Sequence, residues 1–267
     1  MERIPYILIL SIYGLLALEH LLPGKLPSVI RRYGRVLAAA GVVLHLLTLG
    51  FILLAGQARP GFPEALSAAS LGMMVAYCVV GTGRTRALGI FLTPLSLVVL
   101  GTALVVPRHQ IAGLDAVAPS AWLPIHLTLI FAGLGGFSLA FVVGIVYLFV
   151  RDRLKKKRIG AASKFPSLEV LDRIQFRAML FGFVFLTLGI TAGGMWAATA
   201  APTRTLDPKI ILTLVIWVWY AIALQLRLVS GWRGRWAALF SIVGFGGLIF
   251  SMAVFNFFSS GWHTYAP

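Results

Sequence analysis

Cysteine and negative charge are what this chain has least of. It holds one cysteine, Cys78, in 267 residues, and only eight acidic side chains against 23 Lys and Arg. A lone cysteine excludes a disulfide framework and any Cys-rich metal site. The chain shows no buried acid pair, no HExxH zinc helix, no phosphate-binding loop and no nucleophile elbow. A carboxylate-relay proton pump and an intramembrane metalloprotease are therefore disfavoured. Charged residues make up 12% of the chain, where a soluble domain carries about 25%.

What replaces charge is apolar surface. Hydrophobic residues make up 59% of the chain, and its mean hydropathy is +0.92. Disorder is excluded, because such a composition buries too readily. Eight apolar runs approach the roughly 20 residues that a bilayer crossing needs: about 5–22, 36–55, 66–82, 88–106, 122–150, 177–200, 209–229 and 236–258. The expected fold class is all-α, a polytopic integral membrane helix bundle of about eight transmembrane helices. The first run is longer than a signal h-region and no A-x-A site follows it, so it reads as a retained helix. The fifth run is too long for the hydrocarbon core and should tilt or project. The chain divides into an N-terminal four-helix half (1–121) and a C-terminal four-helix half (122–267).

The net charge of +15 fits either nucleic-acid binding or membrane topology. Its distribution favours topology. Alternate loops hold 18 of the basic residues and the other set holds 5, which places the first set in the cytoplasm and both termini outside. The densest run, Arg151–Arg158, has no aromatic-interleaved module beside it, so no nucleic-acid partner is expected. The bilayer itself is the expected partner, with that run anchoring topology and meeting anionic headgroups. Ser167 can cap a short helix carrying Leu168, Leu171 and Ile174 on one face, which should lie on the cytoplasmic surface. Glycines at Gly133, Gly136, Gly189 and Gly193 mark close helix packing.

Five histidines remain as candidates for chemistry. His126 opens the fifth run after Trp122 and Pro124, and His263 follows the last run beside Trp262, both on the outer side. Two readings stand: a pair of axial imidazoles on one haem iron, or two interfacial histidines with no ligand. His45 lies near the middle of the second run, where an ionisable residue is either functional or a hydrogen-bonding tie between helices. His20 and His109 read as boundary residues. The seven tryptophans fall mostly into an interfacial belt, with Trp122, Trp196, Trp217, Trp219 and Trp262 toward the outer half.

From about Trp122 to Pro267 the chain resembles the cytochrome c assembly family, meaning the CcsA-type haem-handling proteins and their shorter HemX-like relatives. Leu123-Pro124-Ile125-His126 before a glycine-rich helix resembles the family's first external-histidine helix. Pro166-Ser167-Leu168-Glu169-Val170-Leu171-Asp172-Arg173, then Leu186-Thr187-Leu188-Gly189, resemble its cytoplasmic loop and next span. Gly194-Met195-Trp196-Ala197, then Asp207-Pro208-Lys209 with Trp217, resemble the two borders of its tryptophan-rich loop. Gly231-Trp232-Arg233-Gly234-Arg235 with Ala237-Ala238-Leu239 resembles its last inner turn. Gly261-Trp262-His263-Thr264-Tyr265-Ala266 resembles the tail with the second external histidine.

The departures are equally specific. Residues 201–206 contain no tryptophan, and Leu212 stands where the family has another. Gln225 stands where the larger synthases have a membrane histidine, and an amide is a poor substitute for imidazole on iron.

The resemblance implies haem as cofactor, with His126 and His263 as axial ligands and Asp207, Trp196, Trp217, Trp262 and His45 as further cofactor-binding residues. It implies a haem-binding protein of cytochrome c assembly that presents haem near the outer face. Its partners would be other assembly proteins of the membrane and an apocytochrome c bearing Cys-x-x-Cys-His, a motif absent from this chain. The expected location is the bacterial inner (plasma) membrane. No independent catalytic activity is expected, at most a part in a haem-attachment system. Two alternatives stay open: a HemX-like regulator that uses loop 151–177 to act on glutamyl-tRNA reductase, and a haem or small-solute transporter.

Overall fold

The computed structural model describes residues 3–54, 62–106, 122–157, 160, 165–200 and 208–258. Within them the chain forms eight α-helices: α1 (Arg3–Leu21), α2 (Ser28–Leu54), α3 (Phe62–Val80), α4 (Gly89–Val105), α5 (Trp122–Lys155), α6 (Leu168–Ala200), α7 (Pro208–Val229) and α8 (Arg235–Phe258). A single 3₁₀ turn, Gly83–Leu88, leads into α4. The first seven are long and apolar enough to cross a bilayer, and α8 contributes a shorter apolar stretch, Arg235–Phe250. The molecule is a polytopic membrane helix bundle. Its outer shell is as apolar as its interior: Val36, Leu47, Phe51, Val79 and Phe250 are all more than 60% exposed. Such a surface has lipid as its natural solvent.

α3 sits between α2, α4 and α5, and α5 runs along α6 for most of its length while also touching α8. The α5–α6 contact depends on residues without side chains. A Cβ at Gly136 would lie 2.7 Å from the Gly182 nitrogen and 2.9 Å from the Ala178 oxygen. Gly133 faces the backbone of Gly182 and Leu186, and Gly189 faces Ile130. The partners move down one helix as they move up the other, so a single antiparallel register satisfies all of them. Between apolar helices in apolar lipid, such close backbone approach supplies the attraction that water would otherwise drive. α3 meets α5 in the same way, at Gly72 and Gly135.

Two expectations about helix ends change. The long fifth helix does project: its last turn, exposed at Asp152, Leu154 and Lys155, continues past the apolar part. The expected surface helix beginning at Ser167 is not separate. Ser167 Oγ accepts from Val170 N at 3.4 Å, as a cap does, but the helix then runs unbroken for 33 residues from Leu168 to Ala200. No glycine or proline interrupts it before Gly182, and Leu171 and Gln175 are fully buried, which pulls the first turns into the bundle.

A polar clasp holds the basic ends of α6, α7 and α8. Arg227 donates to both carboxylate oxygens of Asp172, at 3.0 and 2.6 Å. Gly234 N donates to Asp172 Oδ1 at 2.9 Å. The guanidinium also stacks 4.5 Å over the Phe176 ring. Gly234 has φ +68°, and a Cβ there would lie 2.5 Å from the Tyr147 hydroxyl, so only glycine fits. Two of the segments that carry the family resemblance, 166–173 and 231–235, thus meet at one carboxylate.

Two outcomes in mild detergent check this packing. Gly136→Ala should cost about 1–3 kcal/mol of stability through overpacking against backbone, whereas Gly246→Ala, with open space around it, should leave the thermal midpoint unchanged or slightly raised. Asp172→Ala should cost about 3–5 kcal/mol by stranding Arg227. Glu169→Ala, which removes an exposed pair with Arg173, should cost about 0–1 kcal/mol.

Candidate functional site

His126 lies in the second turn of α5, at the end of the bundle opposite the basic clasp. Its Nδ1–H donates to the Gly189 carbonyl of α6 at 2.7 Å. The ring lies across Gly193, where a Cβ would come within 2.7 Å of Nδ1 and 2.8 Å of Cε1. The GxxxG pair therefore does two things. Gly189 supplies a carbonyl and Gly193 supplies the room for an imidazole. A neutral imidazole with hydrogen on Nδ1 carries its lone pair on Nε2. That is the tautomer in which metal-bound histidines are generally held, with the second N–H donated to a carbonyl or carboxylate.

Aromatic residues flank this ring along both helices. Trp122 precedes His126 by four residues and shares its face of α5. Trp196 follows Gly193 by three residues on α6 and is 8% exposed. Among the described residues no three His, Cys, Asp or Glu side chains gather as a metal-holding group. His126 offers one ligand to an iron, and the second must come from elsewhere.

The other expected site residues fall differently. His263, Trp262 and Asp207 lie outside the described residues, as does His109. Trp217 is mid-way along α7, not at its end. Its indole N–H donates to Thr187 Oγ1 at 2.9 Å and its ring stacks on Phe183 with centroids 5.5 Å apart. Trp219 donates to the Phe240 carbonyl at 3.0 Å. Both indoles tie α7 to its neighbours and are not part of an interfacial belt. Gln225 lies on the exposed face of α7, so the position corresponding to a membrane histidine points away from the bundle.

His45 is completely buried, with both ring nitrogens engaged. Nδ1 is 3.0 Å from the Tyr13 hydroxyl and Nε2 is 2.8 Å from Ser67 Oγ. The ring bridges α1 and α3 through α2. His20 is at the boundary of α1, as its position suggested, but its side chain is only 5% exposed and it meets Tyr77 and Glu19.

Sequence reasoning missed two buried polar residues. Glu64 is 2% exposed in the first turn of α3. It precedes the apolar run, but Pro63 followed by an acid is a helix-start signal that would have included it. Gln175 is fully buried and donates to the Ala237 carbonyl and to Ser241 Oγ, at 3.1 and 2.9 Å. Nothing in its local sequence sets it apart from a surface amide.

Comparison with known proteins gives a consistent set of relatives. Residues of this chain are 29% identical over 167 positions to the cytochrome c biogenesis protein CcsA of Prochlorococcus marinus (strain MIT 9515), covering 55% of this chain and 54% of that protein. The protein of the same name from Chlamydomonas reinhardtii is 30% identical over 185 residues, covering 67% and 51%. That from Guillardia theta is 27% identical over 198 residues, covering 67% and 66%. The match spans about half the length of the first two relatives. The family model described as cytochrome C assembly protein matches residues 11–263, nearly the whole chain. A chain with this bundle and this match belongs to the cytochrome c assembly protein family.

Proposed function

We propose that this chain handles haem for cytochrome c assembly, holding it at the end of the bundle opposite the basic loops. The observation that carries the reading is the 2.7 Å bond from His126 Nδ1 to the Gly189 carbonyl. It sets the tautomer and the orientation that axial ligation requires, and it uses a glycine pair whose spacing the helix packing fixes. The donor set fits the group: an imidazole of the right tautomer at an apolar, tryptophan-flanked helix end.

His126 is the first axial ligand in this reading and His263 the second, with Trp196, Trp262 and Asp207 beside the porphyrin. Trp217 and His45 serve helix packing. Haem is the cargo, and when bound it supplies the vinyl groups that react with cysteines of an apocytochrome c. His126 and His263 would hold the iron, with Trp196 and Trp262 offering aromatic surface to the porphyrin. The 18 basic residues of the loops at the clasp end support a cytoplasmic placement for that end. The haem end and both termini then face outward, toward the apocytochrome and the other assembly proteins. The membrane is the bacterial plasma membrane in this reading.

The chain purified in mild detergent should show sharp reduced bands of bis-histidine haem. His126→Ala and His263→Ala should each abolish them while the protein stays monodisperse. Absence of a Soret band after haem addition to the unaltered chain would overturn the proposal. Gly193→Ala displaces the ring of His126 without removing it, so haem titration should show affinity weakened about 10–100-fold.

A further inference from the structure

The basic end of the bundle carries more cations than its own acids can match, and one turn holds two of the surplus in a fixed place. Each acid at that end already has a partner. Glu19 meets Arg86, Asp152 meets Lys156 and Glu169 meets Arg173, each at 2.9 Å, and Asp172 meets Arg227 at 2.6 Å. The other four acids, Glu2, Glu64, Asp115 and Asp207, belong by sequence to the opposite set of loops. Arg233 and Arg235, in the turn between α7 and α8, are exposed and take part in none of these pairs. Their counter-charge has to come from outside the chain.

Backbone bonds fix this turn from both sides. Trp232 N donates to the Leu226 carbonyl at 3.2 Å and closes the end of α7, and Gly234 N is held on Asp172 Oδ1. Trp232 and Trp236, both exposed, stand side by side with ring centroids 5.3 Å apart, and Trp232 backs onto Phe240 at 6.3 Å. The Arg235 guanidinium lies 5.8 Å from the Trp236 centroid. The apolar stretch of α8 begins at Arg235 and runs to Phe250. The two guanidiniums therefore sit by sequence where hydrocarbon gives way to headgroups, the depth that indoles also favour. From there Trp236, Val243 and Phe250 recur every seven residues, all exposed, and stay on one side of α8 as an apolar stripe.

We propose that the turn 231–235 and the stripe below it bind one anionic phospholipid. Arg233 and Arg235 hold its phosphate, Trp232 and Trp236 flank its glycerol region, and an acyl chain lies along Val243 and Phe250. A guanidinium pairs with phosphate oxygens through parallel N–H groups, which suits arginine to this place better than lysine. A free anion would use the cations and leave the stripe unused. A zwitterionic lipid would bring its own cation against the arginines. A lipid with net negative charge satisfies both parts, and it anchors the depth of α8 in the bilayer. The site lies at the end of the bundle opposite His126 and does not depend on haem binding.

The full-length chain, delipidated in an uncharged detergent and titrated with phosphatidylglycerol under native mass spectrometry, tests this without haem. One molecule should bind about 10-fold more tightly than phosphatidylcholine does. Arg233→Gln combined with Arg235→Gln should weaken that binding about 30-fold, each cation near an anionic headgroup contributing about fivefold. Trp232→Leu leaves every charge in place and should also weaken it, and it keeps the test open should the double variant not fold. Arg173→Gln, which removes an exposed partner of Glu169, should bind as the unaltered chain does. An excess of inorganic phosphate should fail to displace the lipid. Size-exclusion profiles check that the variants are folded. Equal affinity for the two lipids, unchanged affinity in the double variant or in Trp232→Leu, or displacement by inorganic phosphate would overturn the proposal.

Discussion

Backbone touching backbone between α5 and α6 is the contact on which the rest of the structure depends. In lipid, apolar side chains gain nothing by leaving one apolar surface for another, so helices associate where they come close enough for dense packing. Gly133 and Gly136 on one helix and Gly182, Gly189 and Gly193 on the other make that approach possible. Each meets a specific partner, so a shift of one residue would drive Cβ atoms into carbonyls. The seam is therefore also a ruler. It fixes which carbonyl lies opposite position 126, and it places there a gap wide enough for an imidazole. The His126 side of the candidate haem site follows from helix packing.

The polar groups inside the bundle show the same economy. An unsatisfied backbone or side-chain polar group costs several kcal/mol in hydrocarbon, and most of those present here occur in bonded sets. The Asp172–Arg227–Gly234 clasp closes the basic ends of three helices. Gln175 and Ser241 join α6 to α8 a turn deeper. Indole N–H groups of Trp217 and Trp219 spend their hydrogens on neighbouring helices. In the first four helices, His45 ties Tyr13 to Ser67, and His20 meets Tyr77 and Glu19.

Much of the architecture was legible in the sequence because lipid imposes a simple code. Apolar runs of sufficient length gave the helices, and basic residues clustered on alternate loops. The glycines at 189 and 193 announced a packing face. The errors came where that code is silent. Hydropathy began the third span only after Glu64, because a carboxylate lowers the average whether or not the fold can bury it. It separated the start of α6 as a surface helix, because charged Glu169, Asp172 and Arg173 look solvated until Arg227 is brought to Asp172. Trp217 and Trp219 were placed in a belt because tryptophan is common there, and depth along a helix is settled only by its partners.

The sequence by itself determined that the chain lives in a membrane, where its apolar helices run, and which residue types were available for chemistry. Composition and periodicity suffice for that, since they measure how each segment partitions between water and lipid. Tertiary structure alone decided what each histidine does. His126 and His45 are both histidines on apolar helices, and no local pattern separates them. One meets a glycine carbonyl with its Nδ1 and carries its lone pair on Nε2. The other is bridged on both nitrogens by Tyr13 and Ser67. The difference arises from partners 32 and 22 residues away in one case and 63 in the other, and only the packed bundle brings them together.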